Sequence, residues 1–306
     1  MSQVIKSQQI LEKMYRALLM EKIRVRIEKS ILILAIASFI VHLAIIYLVD
    51  FGVIKLATPS ELLNNPIAAI YTPFSFILLY EVYLLIYYLP KSFTTYIGKQ
   101  YEIITLIIIR RLFKDLSNLD LRGDWFKIKY DLQFTYDLLT SIIVFALIYV
   151  FYVQSNIKAS HDAEKEIDLV TLGKFIRIKK GVALLLMPIF LTLTIYSFAT
   201  WFISIAYSVD IFSSSFTNIN NIFFEQFFNV LIFADVLILL FSFFVTDEFH
   251  KVVRNSGFII STILIRLSFS TSGLVNNVLI ILATVFGLLI LMIHNKFEKG
   301  EIIAKE

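Results

Sequence analysis

The sequence contains no cysteine, and glycine (9), proline (5) and histidine (4) are scarce among its 306 residues. Without cysteine, the chain forms no disulfide, thiolate nucleophile or thiolate metal site. The four histidines are scattered, none within one helical turn of another, so the sequence predicts no metal site and no cofactor. Glycine-rich phosphate loops and the common hydrolase and metalloprotease motifs are also missing. The expectation is that the protein is not an enzyme, with an intramembrane enzyme built on carboxylates as the alternative.

Charged residues are rare in the long apolar stretches that dominate the chain, since each of the six contains at most one Asp or Glu and no Lys or Arg. Hydrophobic residues make up 58% of the sequence, and the mean hydropathy is +0.79. A helix of about 20 residues crosses a hydrocarbon core of about 30 Å. Six stretches are this long or nearly so: 30–50, 67–90, 132–153, 182–207, 226–246 and 273–294. More weakly apolar stretches follow at 92–113 and 249–270. The sequence therefore predicts an all-α, polytopic integral membrane protein of about eight helices, with six to eight spans.

The landmarks of the first half of the chain recur in the same order in the second half. In each half a basic leader precedes an apolar helix A, which is followed by a polar loop, helix B, the weakly apolar helix C and helix D. The paired landmarks, all 156 residues apart, are Asn64-Asn65 with Asn220-Asn221, Phe93 with Phe249, and Arg110 with Arg266. This order predicts two tandem four-helix repeats, 30–153 and 182–295. The remaining segments are an amphipathic basic leader (1–29), a basic linker (154–181) and a tail (296–306).

Basic residues predict the orientation of the repeats. The leader, the linker and the tail carry seven, six and three Lys/Arg, and the positive-inside rule places all three in the cytoplasm. The two repeats are then parallel, helix C spans the membrane, and the chain crosses eight times. In the alternative, helix C lies on the membrane surface, six spans remain and the halves are inverted repeats, which puts the linker charges outside. We favour eight spans in the inner membrane with both termini cytoplasmic.

Ionisable residues at membrane depth are the candidate site. A charged side chain at the centre of a spanning helix costs about 2.5–3.5 kcal/mol on insertion scales, so it normally faces other helices and has a partner. The candidates on helices B and C are Glu81, Lys99, Arg110, Asp235, Arg254 and Arg266. Counting the helical rise from each B–C turn places Glu81 beside Lys99, and Asp235 between Arg254 and Ser261. The same count places the arginines at the far ends of helices C too deep for direct contact. The candidates either line a path for an ion or form structural ion pairs.

Secondary candidates follow from weaker signals, and they are His42, Tyr80, Asn64, Asn65, Asn220 and Asn221. Histidine side chains can exchange protons near neutral pH, which makes His42 in the middle of helix A a candidate, but a hydrogen-bonded packing role explains it as well. Tyr80 belongs to a tyrosine-rich part of helix B that fits a membrane interface or a polar path. The asparagine pairs are expected in the A–B loops, as turn residues or at a pore entrance.

Two functions fit these patterns. The first is an ion or small-solute channel or transporter with buried acid–base pairs. The alternative is a non-transporting membrane subunit, or a signalling or anchoring protein, that docks a partner through an apolar stripe of the leader (Ile10, Leu11, Met14, Leu18 and Leu19). The expected partners are the lipid bilayer, further copies of the chain and a cytoplasmic protein. A net charge of +4, with the basic residues beside spans, does not indicate nucleic-acid binding.

Overall fold

The described part of the protein is almost entirely helical. The structure, a computed structural model, describes residues 2–53, 66–116, 129–159, 169–207, 212–245, 248–271 and 273–303. Within these ranges there are nine α-helices and one 3₁₀-helix, Pro66–Ile70, and no strand. The α-helices are α1 (Ser2–Leu19), α2 (Glu21–Asp50), α3 (Tyr71–Tyr88), α4 (Phe93–Leu116), α5 (Lys129–Ala159), α6 (Leu169–Tyr207), α7 (Phe212–Ser242), α8 (Phe249–Ser268) and α9 (Leu274–Ile303). The predicted all-α class is confirmed for this part of the chain.

Helices α2 to α9 correspond in order to the eight predicted helices. Several extend beyond their apolar stretches, because the flanking charged residues are good helix formers. Thus α2 begins in the basic leader at Glu21 and α6 begins in the linker at Leu169. Met20, in an extended conformation (φ −83°, ψ 150°), separates α1 from α2.

Among the described residues, four helical segments have the length and composition to cross a membrane: Gln8–Asp50, Asp131–Asn156, Leu172–Tyr196 and Leu274–Gly300. Two further apolar segments, Thr72–Tyr88 and Gln226–Ser242, are shorter. The weakly apolar stretches that were expected to form helices C lie in α4 and α8. Their polar side chains are largely turned inward, since Gln100, Thr105, Ser261 and Arg266 are all buried.

One predicted loop is wrong. Asn220 and Asn221 lie inside α7, which already begins at Phe212. The Ser- and Asn-rich segment before the apolar stretch looked like a turn, but it contains neither glycine nor proline to end a helix. The matching Asn64 and Asn65 lie outside the described residues.

The chain divides into two compact units. Unit 1 comprises Met1–Tyr87, Phe113–Leu119 and Lys180–Leu231, and unit 2 comprises Tyr88–Leu112, Asp120–Lys179 and Ile232–Glu306. Each unit draws on both halves of the sequence. The predicted repeats at 30–153 and 182–295 stay a prediction.

In unit 1, tyrosines of α3 hold the segment where α1 meets α2. The Tyr80 hydroxyl donates to Oε2 of Glu28 (2.8 Å), and the Tyr83 hydroxyl donates to the carbonyl of Leu18 (3.1 Å). Tyr87 donates to the carboxylate of Glu21. The three tyrosines lie on one face of α3, because their spacings of three and four residues are close to one helical turn.

In unit 2, α9 packs against both α8 and α5. Asn277 Nδ2 donates to Asp137 Oδ1 (2.7 Å), a partner 140 positions earlier. Asn295 Nδ2 donates to the carbonyl of Gln154 (2.9 Å), 141 positions earlier. Because the offset is nearly constant along both helices, α5 and α9 run parallel.

Gly287 allows α4 to approach α9 closely. A methyl group at this position would overlap the hydroxyl of Tyr101. That hydroxyl is hydrogen-bonded to the Ser261 hydroxyl (2.7 Å), which in turn donates to the carbonyl of Ala283 (2.6 Å). Helices α4, α8 and α9 therefore meet at this point in the core of unit 2.

Candidate functional site

One ion pair lies in the core of unit 2. Nη2 of Arg266 is 2.7 Å from Oδ2 of Asp235, and the two side chains are 3% and 0% exposed. Asp235 comes from α7, and Arg266 comes from the last turn of α8. Since both charges are withdrawn from solvent, removing either one breaks the ion pair and leaves the remaining charge buried.

Two polar side chains of α4 complete this group, which we name the Asp235 cluster (Asp235, Arg266, Tyr96 and Gln100). The Tyr96 hydroxyl donates to Oδ1 of Asp235 (2.7 Å), and Nη2 of Arg266 donates to Oε1 of Gln100 (3.0 Å). Tyr96 and Gln100 are one helical turn apart and therefore lie on the same face of α4. Both are buried.

A second group, the Arg111 cluster, joins α4, α5 and α9. It consists of half-buried Arg111 and Gln133 and buried Asp137, Asn276 and Asn277. Nε of Arg111 is 2.8 Å from Oδ2 of Asp137. Nη1 of Arg111 donates to Oδ1 of Asn276 (2.8 Å). Oδ1 of Asp137 accepts from the side-chain amides of Asn277 (2.7 Å) and Gln133 (2.8 Å). Oδ1 of this buried carboxylate therefore accepts two amide hydrogen bonds, and Oδ2 lies at ion-pair distance from Arg111.

The predicted partner of Asp235 is corrected by the structure. Asp235 pairs with Arg266, whereas Arg254 donates to Asn255 and contacts His294. The prediction compared only the distances of the Cα atoms from the B–C turn, and it ignored the direction in which the side chains point. A helical side chain points toward the N-terminus of its own helix. In a B–C hairpin, Arg266 therefore reaches back toward the turn and Asp235 reaches away from it, which closes the gap.

Lys99 has a carboxylate partner that the sequence analysis did not name. Its Nζ lies 2.7 Å from Oε2 of Glu102, and it lies over the rings of Tyr88 (5.5 Å) and Tyr152 (6.0 Å). Glu81 is buried on α3 at 4% exposure. Its predicted pairing with Lys99 stays a prediction. Arg110 is half-buried on α4.

The secondary candidates in unit 1 have local partners. His42 of α2 is hydrogen-bonded to the Thr72 hydroxyl at the start of α3, which agrees with a packing role. Tyr80 interacts with Glu28 and with Arg24, so in this structure it connects α3 to the basic leader. Asn220 and Asn221 lie within helix α7.

The chain matches no protein-family model, no curated protein and no solved structure.

In the Asp235 cluster, the two carboxylate oxygens have different neighbours. Asp235 has one oxygen held by a neutral hydroxyl and the other held by a guanidinium. Since Nη2 of Arg266 also contacts Gln100, the guanidinium has a second acceptor 3.0 Å away. A shift of Arg266 toward Gln100 would expose one carboxylate oxygen to a proton or a small cation. Outside the two clusters, His250, His294 and Glu298 place metal-ligating atoms within 4.8 Å of one another.

Sequence reasoning missed Tyr96, Gln100 and Arg111. The face of α4 contains a usable signal, because Gln100 and Arg111 are about three turns apart and share one side of the helix. Arg110, the residue chosen by the repeat spacing, is about 100° away from Arg111. The position of helix C relative to its neighbours was unknown, so the sequence did not show which side of α4 faced inward.

Proposed function

We propose that the protein is a multi-pass inner-membrane protein that passes protons or another small monovalent cation through the helical core of unit 2. The fully buried pair of Asp235 and Arg266 is the observation that carries this proposal. Ionisable groups among apolar helices are costly to insert, face the interior and commonly mark ion or proton pathways. In this proposal Asp235 binds the cation, and Arg266 occupies its place when the cation is absent.

The parallel course of α5 and α9 supports the tandem-repeat part of the proposal. These helices are the predicted helices D of the two halves, and they meet with offsets of 140 and 141 positions. Two sequence repeats with the same orientation in the membrane would bring their equivalent helices together in this way. We propose eight spans, with the linker and both termini in the cytoplasm.

Proton or cation exchange at Asp235 depends on three neighbours with separate tasks. Arg266 neutralises the carboxylate while no cation is bound. Gln100 accepts the guanidinium when it moves. Tyr96 keeps one carboxylate oxygen oriented throughout, because its hydroxyl donates to Oδ1 and not to the oxygen that faces Arg266. This division predicts that the Tyr96 hydroxyl affects transport more than stability.

The test is cation flux through the purified full chain in proteoliposomes. Tyr96→Phe removes only the hydroxyl that donates to Asp235, and we expect it to lower flux by about tenfold, the equivalent of one hydrogen bond to a charged group. Tyr101→Phe is the matched control, because Tyr101 is an equally buried tyrosine of α4 whose partner is Ser261. We expect that variant to keep the wild-type flux.

Either of two results would reject the proposal. One is the absence of proton, Na⁺ or K⁺ flux in folded wild-type protein under a gradient and a membrane potential. The other is equal flux in wild type and in Asp235→Asn, with folding of the variant shown independently.

A specific observation favours the docking alternative. Three apolar residues of α1 are exposed on one stripe: Ile10 (52%), Met14 (50%) and Leu18 (36%). Spacings of four residues place them on the same face of the helix. Under this second proposal the stripe binds a cytoplasmic protein. Changing all three residues to serine would release a co-purifying partner and leave the flux unchanged, whereas retention of every partner would reject docking.

A further inference from the structure

Three metal-ligating side chains meet where α8 begins and α9 approaches its end. His250, His294 and Glu298 each offer one ligand atom, and these atoms lie within 4.8 Å of one another. His250 is the second residue of α8. His294 and Glu298 are one turn apart on α9, so they project from the same face of that helix. Two packed helices therefore position all three groups.

The spacing is close to what a bound metal ion requires. Zinc binds imidazole nitrogen and carboxylate oxygen at about 2.0–2.2 Å, which in a tetrahedral site separates the ligand atoms by roughly 3.3–3.6 Å. Nε2 of His294 is already 3.2 Å from Oε1 of Glu298. The His250 ring stacks on that of His294 with 5.0 Å between centroids. Because the lone pairs of an imidazole lie in its ring plane, the two rings must turn out of this stacked arrangement to bind the same ion.

A cationic group already lies at this point. Nη1 of Arg254 is 2.8 Å from Nε2 of His294. The same guanidinium donates to Oδ1 of Asn255 from Nε (3.2 Å) and from Nη2 (3.0 Å). Because Asn255 is a second acceptor, the guanidinium can leave His294 and keep part of its hydrogen bonding.

We propose that His250, His294 and Glu298 bind one divalent transition-metal ion, with Zn²⁺ as the probe, which displaces the Arg254 guanidinium from His294. Two imidazoles with one carboxylate suit Zn²⁺, Co²⁺ or Ni²⁺, whereas Mg²⁺ and Ca²⁺ prefer oxygen ligands alone. The bound ion ties the start of α8 to the end of α9. The spacing of the histidines alone did not reveal this site, because the third ligand is a carboxylate. The inference is independent of cation transport at Asp235.

The first test is a Zn²⁺ titration of the purified full chain in detergent, followed by Co²⁺ binding monitored by visible absorption. We expect one saturable ion per chain. We expect His294→Ala and Glu298→Gln each to weaken Zn²⁺ binding at least about tenfold. Loss of a partner outside the direct ligands already weakens metal binding by about 10–100-fold, so loss of a ligand should do no less. His42→Gln is the control, because His42 belongs to unit 1 and bonds to Thr72, and it should bind as wild type does.

Arg254→Gln tests the displacement and does not depend on loss of folding. Removing a positive charge next to the metal should raise the Zn²⁺ affinity, by about tenfold if solvent screens the repulsion strongly. Saturating Zn²⁺ should also raise the melting temperature of wild type and Arg254→Gln, but not that of His294→Ala. The proposal is overturned if wild type shows no saturable binding, if the ligand variants bind equally well, or if Arg254→Gln leaves the affinity unchanged.

Discussion

At the residue scale, the Asp235–Arg266 pair makes a prediction about stability. Asp235→Asn leaves a buried guanidinium without its counter-ion, and we expect it to lower the free energy of unfolding by about 3–5 kcal/mol. Changing both residues, as Asp235→Leu with Arg266→Met, should recover most of that loss, since apolar replacement of a whole buried pair is often nearly neutral. Denaturant titration in mixed micelles measures both values.

A partly exposed ion pair provides the contrast. Glu12 and Lys180 lie 2.8 Å apart with 38% and 20% of their side chains exposed. Solvent screens such a pair, so Glu12→Gln should lower the free energy of unfolding by less than about 1 kcal/mol.

If the effects of the Asp235 and Arg266 substitutions on the free energy of unfolding were simply additive, the two side chains would not be energetically coupled. The interpretation of the Asp235 cluster would then be wrong.

At the element scale, the tyrosines of α3 are predicted to hold the leader in place. Changing Tyr80, Tyr83 and Tyr87 together to phenylalanine keeps the rings and removes three hydrogen bonds to residues 18–28. Each bond contributes roughly 1 kcal/mol, so amide hydrogen exchange in this segment should accelerate at least about tenfold. Tyr101→Phe, in unit 2, is the control and should leave exchange of the segment unchanged. Unaltered protection in the triple variant would show that the leader is held by other contacts.

The parallel course of α5 and α9 makes a second prediction at this scale. The chain has no cysteine, so introduced cysteine pairs report on one contact at a time. Gln154→Cys with Asn295→Cys should crosslink through a short thiol reagent, because these residues are in contact. Gln154→Cys with Asn277→Cys should not crosslink, because position 277 lies about 27 Å from position 295 along α9. The reverse result would mean that the helices are antiparallel.

At the scale of the whole molecule, the proposed eight spans place the linker in the cytoplasm. A single cysteine at Ser160 should be protected from a membrane-impermeant maleimide in intact cells and should react after the membrane is opened. In the six-span arrangement the same residue faces outward and reacts at once. A cysteine at Ser2 is the control, because both arrangements place the leader inside. Immediate labelling of the linker alone would reject the parallel repeats.

The site was predicted in part. Hydropathy singled out Asp235 and Arg266, because a charge within or beside an apolar run is unusual wherever the helix packs. Their pairing was missed, because side-chain direction changes the depth at which a long arginine acts. Tyr96 and Gln100 gave no signal of their own, since polar residues on a weakly apolar helix fit an interface as well as a core.

The sequence by itself determined the order of helices α2 to α9. Hydropathy and helix propensity act over short distances along the chain, so the apolar stretches predict α2 to α9 without knowledge of packing. Tertiary structure alone decided which side of each helix faces inward. It brought Asp235 to Arg266, Arg111 to Asp137, and His250 to His294. These contacts depend on how neighbouring helices are rotated and offset relative to one another, which no local pattern specifies.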